Sequence, residues 1–149
     1  MEAVLFVGIQ ASGKSTFYYC HFFSTHVRIN LDMLRTRHRE RVLLGACLDA
    51  KQPFVIDNTN VTRADRAAYI SAARAAGFRV EGYYFRPVLQ DAIARNDQRV
   101  GQARIPRKGV VGTLRKLEMP KLDEGFDRLH HVEIDTDGRF VVTEWQGEV

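Results

Sequence analysis

A chain of 149 residues, 45% hydrophobic and 27% charged, has the size and composition of one globular domain with a buried core. Its two cysteines, Cys20 and Cys47, exclude a disulfide scaffold and read as buried thiols in a reducing compartment. Apolar runs such as residues 3–9 are strand length, too short to span a membrane, and the start Met1-Glu2 does not read as a secretory signal, so the cytoplasm is the expected location. The net charge of +4 is unevenly spread. Residues 28–41 hold five arginines against Asp32 and Glu40, and residues 86–120 hold eight basic residues against Asp91, Asp97 and Glu118. Such clusters suit either a polyanionic partner or solvated helix faces.

Strands and helices alternate along the chain. Residues 3–7 form an apolar run that ends in a Gly-rich turn, and a helix is predicted over 13–23. Between them, Gly8-Ile9-Gln10-Ala11-Ser12-Gly13-Lys14-Ser15 fits G-x-x-x-x-G-K-[ST], with Thr16 following. Glycines let the loop turn its amides toward phosphate oxygens, and the helix start adds its positive dipole end. Lys14 is expected to reach the β- and γ-phosphates of ATP or another nucleoside triphosphate, and the Ser15 hydroxyl can coordinate Mg²⁺.

Residues 26–30 read as a short strand next to the phosphate loop, followed by a helix over 32–50 bent near Gly45. Asp32 is then expected at that strand's carboxyl end, where an acceptor hydroxyl would lie; a helix N-cap is the other reading of the same residue. Arg35, three residues on, is one helical turn away and could hold a phosphate of the same acceptor.

Residues 54–56 read as a buried strand ending at Asp57, an acidic group suited to hold Mg²⁺ through water. A helix is predicted over 62–76, with Thr62 and Asp65 resembling a capping box and Gly77 at its C-terminal cap. Residues 79–85 are the next strand, with helices over 88–99 and 108–117 beyond it. Arg95 and Arg99 lie i, i+4 on one helix face, so both guanidinium groups could neutralise a transferring phosphoryl group. Residues 128–135 and 139–145 read as two strands around Thr136-Asp137-Gly138. That triplet looks like a phosphatase nucleophile motif, but a hairpin turn accounts for it. His130 and His131 lie on the first of these strands, His38 reads as solvated, and Tyr18, Tyr19, Phe22 and Phe23 are expected to pack in the core. The pattern implies an α/β fold, a parallel sheet with helices on both faces and ligands at the strands' carboxyl ends.

Taken in order, these motifs resemble the kinase module of 5′-polynucleotide kinases over residues 5–129. Gly8 to Thr16 is similar to that family's phosphate loop, and Ile29-Asn30-x-Asp32-x-x-Arg35 to its general-base segment. Asp57-Asn58-Thr59-Asn60 is similar to its third-strand motif, close to metal and acceptor, and Arg95-Asn96-x-x-Arg99 with Ile105-Pro106 to its lid. Leu117-Glu118-x-Pro120 and Glu124-Gly125-Phe126 resemble the segment that closes the module. The resemblance implies a P-loop NTPase-type, adenylate-kinase-like fold as one domain over 1–149, with a helical lid at about 90–118.

It further implies transfer of the ATP γ-phosphate to a 5′-OH DNA or RNA end. Asp32 would be the general base, Arg35 would engage the phosphate beside the acceptor nucleoside, and the lid arginines would contact the donor phosphates. Asn58, Thr59 and Asn60 would face the acceptor. Two alternatives share the phosphate loop: a small-molecule kinase acting on a nucleoside, sugar acid or antibiotic, and a non-catalytic ATP-dependent switch.

Overall fold

The computed structural model describes residues 1–101 and 105–145, with the backbone alone at residues 89, 90, 92 and 95. Six strands form one sheet in the order β2-β3-β1-β4-β5-β6. They are β1 (Glu2–Val7), β2 (Val27–Ile29), β3 (Phe54–Ile56), β4 (Arg79–Phe85), β5 (Arg128–Ile134) and β6 (Phe140–Glu144). All neighbours pair in parallel except β5 and β6, which form an antiparallel hairpin around Asp135–Gly138. The Thr-Asp-Gly triplet is therefore a turn, with the Asp135 carboxylate accepting from the Asp137 and Arg139 amides.

The strand after the phosphate loop does not sit beside β1, as the sequence suggested: β3 lies between them. Chain order carries no information on which parallel strand inserts where, because each crossover can skip a position.

Residues 3–7 of β1 are completely buried. The alternation of a strand sends Ala3 and Leu5 to one face and Val4 and Phe6 to the other, so a strand covered on both sides must be apolar throughout. One face carries helices α3 (Arg37–Ala50) and α4 (Arg63–Ala75), whose Cys47, Tyr69, Ile70 and Ala73 join Leu5, Ile29, Phe54 and Leu129. The other carries α1 (Lys14–His21), where Phe17, Tyr18 and Phe22 meet Phe6, Val55 and Phe85. Tyr19 and Phe23, expected in the core, are 61% and 63% exposed, because Tyr19 sits on the outer face of α1 and Phe23 in the turn that follows it. Cys20 is exposed on the same helix, and Cys47 alone is buried.

The predicted helix over 32–50 is two helices. The short α2 (Leu31–Leu34) ends at Arg35, whose φ of 76° leaves the helical region. Thr36 then caps α3, its hydroxyl accepting from the Arg39 amide, and α3 runs unbroken through Gly45. Beyond β4 come α5 (Leu89–Asp97) and α6 (Arg107–Lys116), then a 3-10 turn at Leu122–Glu124. Among the described residues, no helix is long and apolar enough to cross a membrane.

Gly82 on β4 marks the tightest packing in the sheet. A Cβ there would lie 2.6 Å from Leu129 Cδ2 and 2.7 Å from Phe126 Cε1. Gly82→Ala is accordingly expected to destabilise the fold by about 1–3 kcal/mol, read as a shift in the urea midpoint at unchanged slope.

Candidate active site

The phosphate loop bridges β1 and α1. Gly8 is fixed by its amide donating to the Thr59 carbonyl at 3.0 Å and could not carry a side chain, since a Cβ would lie 2.9 Å from Phe85 Cβ and from Ser12 Oγ. Gly13 takes φ 97°, which favours glycine, and starts α1. Ser12 Oγ donates to the Ile9 carbonyl, closing the loop on itself. Ile9 and Ala11 pack beneath Val110 of α6, and Gln10 Nε2 donates to Thr113 Oγ1 at 2.8 Å. The α6 helix thus seats directly on the phosphate loop. Ser15 and Thr16 are exposed on the first turn of α1.

Lys14 lies inside this turn, its Nζ donating to the carbonyls of Gly8 (3.1 Å) and Ile9 (2.7 Å). Burial draws its pKa down to about 8; Arg99 pushes the same way, against the opposing pull of Asp57 and Asp32. The ammonium is held ready for anionic oxygens.

Asp57 stands at the end of β3 with 2% exposure. Its Oδ2 accepts from Ser15 Oγ at 3.1 Å and from Arg28 Nε at 2.8 Å, and Arg28 Nη2 donates to Ser15 Oγ at 2.9 Å. The sequence reading paired Ser15 with Asp57 but gave Arg28 no role in the site. The hydroxyl and carboxylate are hard oxygen donors suited to Mg²⁺. Among the described residues, no group of three or more His, Cys, Asp or Glu is placed to hold a metal.

A cavity of about 560 Å³ opens over these groups. Lys14, Ser15 and Asp57 line it together with Asp32, Arg37, Arg41, Tyr69 and Arg99. Asp32 is exposed on α2 and is not the helix cap: Asn30 is, its Oδ1 accepting from the Met33 amide while its Nδ2 donates to the Asp57 carbonyl. Arg35, by contrast, is exposed and off the cavity wall, because the chain breaks from helix at that residue. Its place on the wall is taken by Arg37 and Arg41, one turn apart on α3. The Thr36 capping signal was the clue in the sequence.

Asn58, Thr59 and Asn60 also line the cavity, but the two asparagine side chains serve the frame. Asn60, at 4% exposure, donates Nδ2 to the Phe6 carbonyl. Asn58 accepts from the Leu31 amide and donates to Glu40 Oε2. Glu40 is 4% exposed and also accepts from Tyr69 Oη (2.8 Å) and Arg37 Nη1 (2.9 Å). Burial, followed by the bond to Glu40, pushes the Tyr69 hydroxyl up to about 12. This network joins α3, α4 and the β3 loop to the first residue of α2.

A second missed group, the fully buried Arg66, forks onto Glu124 and donates to the carbonyls of Asn60 and Glu118. It fastens the end of the α6 segment to the β3 loop. Asn96, 0% exposed on α5, holds both the amide and the carbonyl of Ile105, which fastens α5 to the start of the α6 segment. Arg95 lies on α5, and its side chain falls outside the described residues.

The sequence pattern of the AAA domain family matches residues 35–120. A bifunctional polynucleotide phosphatase/kinase from Schizosaccharomyces pombe (strain 972 / ATCC 24843) is 27% identical over 135 residues, 88% of this chain. The chain spans about a third, 33%, of that relative's length. A gluconokinase from Sinorhizobium meliloti 1021 superposes with a TM-score of 0.62 at 18% identity, over 91% of this chain and 83% of that one. Kti12 from Chaetomium thermophilum, in complex with ADP-AlF3, does so with 0.64 at 15% identity, over 91% and 92%. These likenesses agree with the sheet order in giving an α/β P-loop fold.

The Lys14 shift has a consequence for nucleotide binding. Above pH 8 the free protein's Lys14 loses its proton, and incoming phosphate charge restores it, so binding takes a proton up. ATP affinity should therefore fall as pH rises through about 8. Calorimetry at pH 8.5 in two buffers of different ionisation enthalpy should read a fraction of a proton taken up per ATP. Lys14→Met should abolish that uptake, and a buffer-independent heat for the unsubstituted protein would contradict it.

Proposed function

The chain belongs to the AAA domain family, whose pattern spans more than half of it, and on that footing we propose that it is an ATP-dependent kinase phosphorylating the 5′-hydroxyl end of a DNA or RNA strand. The observation that carries this reading is one cavity lined by both the phosphate-loop residues Lys14 and Ser15 and an exposed carboxylate, Asp32. The polynucleotide kinase in the relative's name supports the acceptor class.

In this reading Gly8 to Thr16 hold the donor phosphates through loop amides and Lys14. Arg99, with Arg95, neutralises charge on the transferring group from the lid over residues 90–118, all within one domain. Ser15 and Asp57 would hold Mg²⁺, Asp57 through water, and when bound it supplies charge for the β- and γ-oxygens. Asp32 takes the proton from the acceptor hydroxyl as its oxygen bonds to the γ-phosphorus. The bond from that phosphorus to the β,γ-bridging oxygen breaks, and ADP leaves with the electron pair. Arg37 and Arg41 give the acceptor side two guanidinium groups that can bind strand phosphates, the role the sequence reading gave to Arg35. Asn58 acts as a positioning residue, holding α2 and hence Asp32.

Asp32→Asn is expected to lower kcat for a 5′-OH oligonucleotide by about 10²–10⁴-fold while ATP binding stays within a few-fold. Turnover close to that of the unsubstituted protein would remove Asp32 as the base.

A further inference from the structure

Asp57 is a nearly inaccessible carboxylate, and an ion in that position is costly unless an opposite charge meets it. Lys14 is not that partner by contact, since its Nζ is spent on the Gly8 and Ile9 carbonyls. Arg28 is. It reaches from the edge strand β2 across β3, with Nε 2.8 Å from Asp57 Oδ2 and Nη2 2.9 Å from Ser15 Oγ. Ser15 Oγ and Asp57 Oδ2 are themselves 3.1 Å apart, so the three groups close a triangle. The guanidinium engages the same two side chains that the proposed Mg²⁺ site needs.

We infer that Arg28 is a resident counter-ion of the cation site, which a divalent metal must displace before it can bind Ser15 and Asp57. The inference rests on reading those two residues as the cation site. The physical conflict is direct. Mg²⁺ would need the Ser15 oxygen at about 2.0–2.1 Å and one of its waters on Asp57, and the fork holds its nitrogens at hydrogen-bond distance from those same two atoms. A dication and a guanidinium cannot share that space without strong repulsion.

Exchange favours the guanidinium when the metal arrives alone, because the metal then gains one hydroxyl and one water-mediated carboxylate only. It favours the metal when ATP is present, because phosphate oxygens add ligands and negative charge. Arg28 therefore makes cation entry depend on nucleotide. Its side chain is 20% exposed and its guanidinium carbon stands 6.0 Å from the Tyr18 ring centroid, so it has solvent to move into and an aromatic face beside it.

The test is a titration of Mn²⁺, followed by its electron paramagnetic resonance signal, on nucleotide-free protein. Arg28→Gln is expected to bind Mn²⁺ about tenfold more tightly than the unsubstituted chain, roughly 1.4 kcal/mol. The double variant R28Q/D57N should lose that gain. With ATP present, the unsubstituted chain and R28Q should bind Mn²⁺ within a few-fold of each other. Because R28Q leaves Asp57 uncompensated, its melting temperature in EDTA should fall and Mg²⁺ should restore more of it than in the unsubstituted chain. Should R28Q melt too low for the titration, R28K, which keeps the charge and loses the fork, should bind Mn²⁺ more tightly than the unsubstituted chain.

Equal Mn²⁺ affinity in R28Q and the unsubstituted chain would overturn the inference while D57N still weakened the Mn²⁺·ATP complex, leaving the cation site standing. Mn²⁺·ATP binding indifferent to D57N would remove the cation site itself, and the inference with it.

Discussion

The site depends on one buried charge. Asp57 ends the short strand between β2 and β1, and its carboxylate has almost no access to water. Such a group needs donors, and Ser15 and Arg28 supply them from two separate elements, while the Asp57 main-chain carbonyl draws in a third. Ser15 brings the first turn of α1, Arg28 brings β2, and Asn30, bonded to the Asp57 carbonyl, brings the start of α2. Asp57 thus ties the first turn of α1 and β2 through its carboxylate and the start of the Asp32 helix through its main-chain carbonyl.

Two further polar anchors extend that frame. Glu40 gathers Tyr69, Arg37 and Asn58, and Asn58 in turn accepts from the Leu31 amide at the start of α2. Arg66 gathers Glu124 with the carbonyls of Asn60 and Glu118, tying the stretch after α6 to the β3 loop. Each is a buried ion whose bonding groups are nearly all engaged, the condition under which such a group rigidifies a site. Above them, α6 rests on the phosphate loop through Val110 and Thr113. The cavity is therefore bordered by a fixed floor and by the α5–α6 pair, joined where Asn96 holds Ile105.

Local signals were readable in the sequence, and long-range choices were not. The G-x-x-x-x-G-K-S run, the Thr62 cap and the Gly77 end of α4 are decided by neighbours a few residues apart, and the structure bears them out. The placement of β3 between β2 and β1 depends on crossovers that leave no local mark. The break at Arg35 was hidden because Leu31 to Ala50 has the composition of one helix, and only the Thr36 cap betrays it. Arg28, Glu40 and Arg66 were equally hidden, since a buried charge looks like a surface charge until its partner 29, 18 or 58 residues away is known. The outward turn of Tyr19 and Phe23 belongs to the same class: helix α1 is rich in aromatics on more than one face.

We propose transfer of the γ-phosphate of ATP to a nucleic acid 5′-hydroxyl in this cavity. The most direct measurement offers γ-labelled ATP and Mg²⁺ with 5′-OH DNA, 5′-OH RNA, free nucleosides and sugar acids in parallel. The account expects label at the 5′ end of an oligonucleotide and none on the sugar acids. Label on a small acceptor alone, or on no acceptor at all, would contradict it.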